Sequence, residues 1–296
     1  MALHGTDRTL TAKQTAEALL KQEGITSLPV DPFALAASRD IVVQAKPDAE
    51  DGVSGMLLRH GDTFGILYAT YVPSEGFQRF NVGHELGHYF LEGHVDHLLP
   101  RDGVHASRAG FVSGDPYELE ADNFAAGLLM PAELCKRVIA RRNPGLAAIE
   151  ALAGDCRTSL TATAIRFAEL TDDAVAVIIS TGRTIDYCLL SEAMKSLPQL
   201  SWLKKGSPVP AGTETARLSA VAERILKGDR ATHEIDVMDW LGGTRSAVVT
   251  EDVVGLGRYG KTLTVLSSSA IGHEENGDDD DDDDELAERW TPRFRR

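Results

Sequence analysis

His84, Glu85 and His88 stand within the stretch QRFNVGHELGHYFL, Gln78 to Leu91, in the order H-E-x-x-H. On a helix, residues four apart share one face, with Cβ atoms roughly 5–6 Å apart. Both imidazoles can then reach one Zn²⁺ at about 2.0–2.1 Å. Glu85 lies too close to a water on such a metal to be spent as a ligand. It suits general-base activation of that water, the chemistry of metallopeptidases. A catalytic zinc of this kind also needs a third protein ligand and an open position.

The elements that must position these groups are legible around them. Phe80, Val82, Leu86, Phe90 and Leu91 are apolar, several at spacings of three or four, which predicts a helix with one face in the core. Gly83 and Gly87 oppose helix formation by about 1 kcal/mol each against alanine. Gly87, between the two histidines, leaves room for a second backbone or a substrate. Glu92-Gly93 marks the helix end.

A second helix is predicted over DPYELEADNFAAGLLMP, Asp115 to Pro131, with Asp115 as N-cap and Pro116 in the first turn. Glu118, Ala121, Asp122 and Ala125 fall on one face. Glu118 is the candidate third ligand, although Asp115 and Glu118 also fit a capping box. Asp122, one turn on, can accept a hydrogen bond from a ligand histidine and fix its tautomer. Glu120 points to another face and is the weaker candidate. His94, His97, His105 and Tyr117 lie between or beside these helices, and none is singled out as the group that stabilises an oxyanion. Two histidines and a glutamate suit Zn²⁺, with Mn²⁺ and Fe²⁺ as other occupants.

The segments R-F-N-V-G-H-E-L-G-H-Y-F and E-L-E-A-D-N-F-A-A-G-L-L-M-P together resemble the ImmA/IrrE metallopeptidases, a gluzincin-type group, over roughly residues 28–131. The resemblance implies a zincin-like catalytic domain with a small β-sheet and an active-site helix. It implies His84, His88 and Glu118 as zinc ligands and Glu85 as catalytic base. Many members of the group have asparagine where this chain has Asp122, a change that still leaves an acceptor for a ligand histidine. The resemblance further implies a specific protein substrate, typically a helix-turn-helix repressor cut to switch on a stress, phage or mobile-element response. Some members carry a sensor-like C-terminal domain.

Composition sets the outer bounds. The 296 residues are 43% hydrophobic and 25% charged, as in soluble globular chains. No apolar run approaches the ~20 residues that span a bilayer, and the opening MALHGTDRTL lacks the pattern of a signal peptide. The cysteines, Cys135, Cys156 and Cys188, are far apart and odd in number, which fits ordinary buried thiols and a cytoplasmic location. The net charge is −15, of which residues 274–296 supply −7 from 11 acidic and 4 basic residues. Non-specific nucleic-acid binding is therefore disfavoured.

Read in order, the chain gives an α+β protein. A helix is expected over Thr11–Gln22, a short one from Asp31-Pro32 to Ala37, and a strand over Ile41–Gln44. A hairpin follows, Gly55–Arg59 and Phe64–Ala69, whose second strand is expected to line the cleft and to offer an edge to an extended peptide. After Pro131 come a helix to about Arg142 and two short helices, Leu146–Ala153 and Leu160–Leu170. That pair fits a helix-turn-helix, but the second helix has only Arg157 and Arg166 nearby and no dense basic face, so core packing is the preferred reading. From Thr171 the pattern is strand-rich: Ala174–Ile179, Thr184–Leu190, Glu234–Trp240, Ser246–Thr250 and Thr262–Leu266, with a helix over Ala216–Lys227. The expected domains are 1–145 catalytic, 146–170 helical, 171–271 α+β with a sensory role by analogy, and 272–296 a disordered acidic tail. The alternative function is a DNA-binding or signalling regulator with a structural metal site. The oligomeric state is not legible.

Overall fold

The computed structural model describes residues 5–47, 52–99, 102–107 and 114–271, with side chains from Arg8 onwards. The acidic tail expected to be disordered lies outside the described residues. The fold is α+β, as expected, and the contacts divide it into two units. The first takes in the described residues of 5–134 and 153–159, the second those of 135–152 and 160–271.

The first unit begins with α1 (Gly5–Gln22) and α2 (Pro32–Ala37). Asp31 caps α2 by accepting from the N–H groups of Phe33 and Ala34, and Pro32 has the fixed φ that a first turn needs. Strands β1 (Val42–Lys46), β2 (Gly55–His60) and β3 (Thr63–Ala69) follow, then α3 (Glu75–Phe90), α4 (His94–Leu98), β4 (Asp102–Ser107) and α5 (Pro116–Leu129). The sheet order is β1-β3-β2-β4. The β2–β3 hairpin turns at Gly61, where φ is +59°, and closes on the pair His60 and Thr63.

Strand β3 does not offer the expected free edge. Strand β1 pairs with it in parallel on one side and β2 antiparallel on the other. Strand β4, in the connection between the two metal-site helices, returns along β2, so β1 and β4 are the edges of this sheet. In β4 the residues alternate: Val104 and Ala106 are exposed, while Gly103, His105 and Ser107 face inward. The period of two puts His105 and Ser107 on one face.

Helix α3 packs against β2 and β3 on one side and against α5 on another, and α5 packs on α1. Leu57, Ile66, Val82, Leu86, Phe124 and Leu128 are fully buried between these layers. The approach of the helices is set by glycines. A Cβ on Gly87 would lie 2.9 Å from the Cα of Ala121, and one on Gly127 would lie 2.9 Å from the Cα of Lys13.

Helices α6 (Ala132–Ile139), α7 (Leu146–Cys156) and α8 (Leu160–Leu170) come next. The second unit then adds β5 (Ala174–Thr181), β6 (Thr184–Leu190), α9 (Glu192–Lys195), α10 (Glu214–Ser219), α11 (Ala222–Lys227), β7 (Arg230–Asp236), α12 (Val237–Leu241), β8 (Val248–Gly255) and β9 (Lys261–Ser268). The sheet is antiparallel throughout, in the order β6-β5-β9-β8-β7. Strand β5 is buried on both faces from Ala174 to Ser180, which explains its unbroken apolar run.

Two expected elements differ. The helix over Ala216–Lys227 is two helices, with Val221 extended between them as the N-cap of α11. The strand over Glu234–Trp240 ends at Asp236, whose carboxylate accepts from the Met238 N–H and starts α12. A side-chain cap inside the apolar stretch turned strand into helix there. Among the described residues, no helix is long and apolar enough to cross a membrane.

Candidate metal centre

The centre is built where α3 crosses α5. Ser74 caps α3 by accepting from the Phe77 N–H at 3.4 Å. Asp115 caps α5 by accepting from the Tyr117 N–H at 2.9 Å. The Glu118 carboxylate, offered by the sequence as either cap or ligand, faces His84, His88 and His105. Gly83 meets Ala125 and Gly87 meets Ala121, so the two helices close on their small residues. That contact brings the ligand turns of both helices together.

His84, His88 and Glu118 are all buried, and one donor atom from each lies within 4.8 Å of the others. The Nε2 atoms of the two histidines are 3.0 Å apart. Glu118 Oε2 lies 3.4 Å from His84 Nε2, and its Oε1 lies 3.2 Å from His88 Nε2. On the far side of His84, Nδ1 is 2.8 Å from Asp122 Oδ1. Asp122 lies behind the ring, with Nε2 left for the cluster.

Charge in the cluster is shared unequally. Burial pulls the His84 imidazole down, but Asp122 and Glu118 outweigh it and hold its pKa at about 10. Burial lowers His88 to about 4, with Glu118 opposing only in part. Burial raises Glu118, yet hydrogen bonds with His105, His84 and His88 win and hold it far below the usual carboxylate range. The carboxylates that stabilise a proton on His84 favour any cation at that point.

Glu85 reaches the sheet beside this cluster. Its carboxylate lies against β2, where a Cβ on Gly55 would come 2.4 Å from Oε1. Gly55 is paired with Ser107 of β4. Glu85 is fully buried, and neither of its oxygens has a hydrogen-bond partner among the described residues. Burial raises its pKa to about 7, against the opposing pull of His84. An unpaired buried carboxylate costs several kcal/mol in lost hydration. A cation on the adjacent His84–His88–Glu118 donors is the kind of group that offsets it. Two imidazoles and a carboxylate match the ligands of open zinc sites, so the residues present fit a metal ion.

Four further residues complete the centre. Helix α4 starts at Gly93, whose φ of +79° folds His94 back under α3. His94 is buried, its Nδ1 3.0 Å from His88 Nδ1 and its Nε2 3.1 Å from Glu120 Oε2. Glu120, set aside in the sequence as facing elsewhere, indeed misses the donor cluster and meets His94. His105 of β4 comes within 2.8 Å of Glu118 Oε1 and keeps some exposure. Tyr117 stacks on His97 and takes His94 against its ring. The alternation in D-G-V-H-A-S was the signal that could have placed His105, but the segment has few strand-forming residues.

Comparison with known proteins adds three findings. No curated protein matches the chain. A solved structure described as a Mycobacterium tuberculosis transcriptional regulator is similar in fold, with a TM-score of 0.55 at 16% identity, covering 89% of this chain and 78% of that one. Residues 36–167 match the family model of the IrrE N-terminal-like domain, Peptidase_M78. The match starts later than the resemblance read from the two motifs, and it runs on past Pro131 into α8. That family suggests a metallopeptidase, and the stretch it covers holds His84, His88 and Glu118. Over residues 36–167, a little under half of its length, the chain is thus similar to the IrrE N-terminal-like domain of the Peptidase_M78 family.

Proposed function

We propose that this chain is a zinc-dependent endopeptidase of restricted specificity, located in the cytoplasm and acting on a helix-turn-helix transcriptional repressor. The observation that carries this reading is the pairing of a buried donor cluster with an unpaired buried carboxylate next to it in sequence. In this reading His84, His88 and Glu118 hold the metal and Asp122 orients His84. A bound zinc supplies Lewis acidity, polarising the scissile carbonyl and activating a water.

Glu85 carries the proton. With its pKa near 7 it can take a proton from the attacking water at neutral pH and return it to the leaving nitrogen. A C–O bond forms as the C–N bond breaks, and the carboxylate ends as it began. The backbone of β2 at Gly55 holds the Glu85 side chain against the sheet. A peptide must present an extended, unfolded stretch to such a buried centre, which limits the substrates.

The repressor itself is supported by the family resemblance, not by any residue of the cleft. The test is co-expression with candidate repressors, comparing wild type with Glu85→Gln and reading fragments by mass spectrometry. Discrete cleavage of one repressor by the wild type alone is expected. Broad degradation of unrelated proteins would contradict restricted specificity.

A second reading, a DNA-binding or signalling regulator with a structural metal, draws on the fold shared with the transcriptional regulator. The basic residues around α7 and α8 do not favour it. Arg166 is buried and paired with Glu169, and Arg157 pairs with Glu75. Gel shifts at physiological salt separate the readings: tight sequence-specific binding without proteolysis would favour the regulator.

A further inference from the structure

We propose that His94, Glu120 and Arg8 form a positioning chain behind His88 that fixes its tautomer and aims Nε2 at the metal. This rests on the reading of His84, His88 and Glu118 as metal ligands. The two ligand histidines are supported differently. His84 reaches a carboxylate directly, through Nδ1 and Asp122 at 2.8 Å. Behind His88 no carboxylate among the described residues is in direct contact with Nδ1, which meets the Nδ1 of His94 at 3.0 Å.

The protons of this chain can be assigned from one end. A histidine that gives Nε2 to a metal carries its proton on Nδ1. His88 then donates from Nδ1, so the Nδ1 of His94 must be the acceptor. A neutral His94 accepting at Nδ1 carries its own proton on Nε2, which faces Glu120 Oε2 at 3.1 Å and donates to it. Glu120 Oε1 is in turn paired with Arg8 Nε of α1 at 2.5 Å. With His94 neutral, every hydrogen bond of the chain has one donor and one acceptor only when His88 presents a bare Nε2 to the cluster. With His94 donating to Glu120, the opposite tautomer of His88 would set two lone pairs against each other between the two Nδ1 atoms.

The chain is built into the packing. His94 and Glu120 are buried, and Tyr117 lies against His94, with the Arg8 guanidinium 5.5 Å from the ring centre of Tyr117. Arg8 lies outside the stretch that matches the family, so α1 serves the centre as well as the core. His94 acts only through His88 and is a positioning residue.

The test is zinc affinity, measured by competition with a chromophoric chelator on the full chain, beside the melting of the metal-free protein and the visible spectrum of the Co²⁺-loaded form. Loss of outer hydrogen bonds of this kind weakens metal binding by about 10- to 100-fold. His94→Ala is expected to weaken zinc by that amount and to change the Co²⁺ spectrum. Glu120→Gln keeps the side-chain size and an acceptor for His94, so it should bind zinc between wild type and Glu120→Ala. If His94→Ala fails to fold, the isosteric Glu120→Gln carries the test. Zinc affinity and Co²⁺ spectrum unchanged in the folded variants would overturn the chain while leaving the metal centre standing. Failure of the wild type to take up zinc would overturn both.

Discussion

Gly87→Ala should separate packing from ligation at the centre. A Cβ at this position would sit 2.9 Å from the Cα and 3.1 Å from the carbonyl oxygen of Ala121. Carbon atoms rest at about 3.5–4.0 Å, so α3 and α5 must part by roughly half an ångström or more. Overpacking of this kind costs about 1–3 kcal/mol, while alanine gains about 1 kcal/mol over glycine as a helix former. The net loss of stability is then at most about 2 kcal/mol, read by denaturant unfolding of the metal-free protein. Metal affinity should suffer more, because His84 and His88 are on α3 and Glu118 is on α5, and ligand distances tolerate about 0.2 Å. Gly83→Ala is the control: its Cβ would come no closer than 3.3 Å, to the Ala125 methyl, which can yield slightly. Its stability should be close to wild type or higher. If Gly87→Ala binds zinc as tightly as Gly83→Ala, the glycine contact does not set the ligand geometry.

Three further outcomes are expected. Gly55→Ala should leave zinc content intact yet lower proteolysis, because its Cβ would displace Glu85 Oε1; wild-type turnover would refute the placement of the base. Glu118→Ala should lower zinc occupancy by elemental analysis far more than Glu120→Ala, and the reverse order would move the third ligand two residues along. Burial pushes the Cys188 thiol up to about 12, so at pH 8 only about one molecule in ten thousand carries its thiolate. Cys188 is half-buried, so native protein should react slowly with a thiol reagent there for want of thiolate, and faster once unfolded; rapid native labelling at pH 8 would contradict the raised pKa.

How much of this was legible follows from the ranges involved. His84, His88, Glu118 and Asp122 each sit in a helix with a clear cap and period, so the side of the helix they occupy could be read from spacing alone. The small residues Gly83, Gly87, Ala121 and Ala125 were visible too, although only the fold shows that they meet each other. The contact of His94 with Glu120 was not legible, because the chain reverses at Gly93 and that contact joins α4 to a turn of α5. His105 was lost with β4, a short edge strand of polar and small residues that β2 recruits through its backbone. The same limit explains α12: Asp236 ends a strand by capping a helix, a local choice that the apolar pattern on either side does not reveal.

The most direct measurement is metal content and proteolysis on the same preparations of wild type and Glu85→Gln, purified without added metal. One zinc per chain in both proteins, with cleavage of a co-expressed repressor by the wild type only, is the expected result. Equal cleavage by Glu85→Gln, or a wild-type chain that cleaves without zinc, would contradict the reading of His84, His88 and Glu118 as ligands around a Glu85 base.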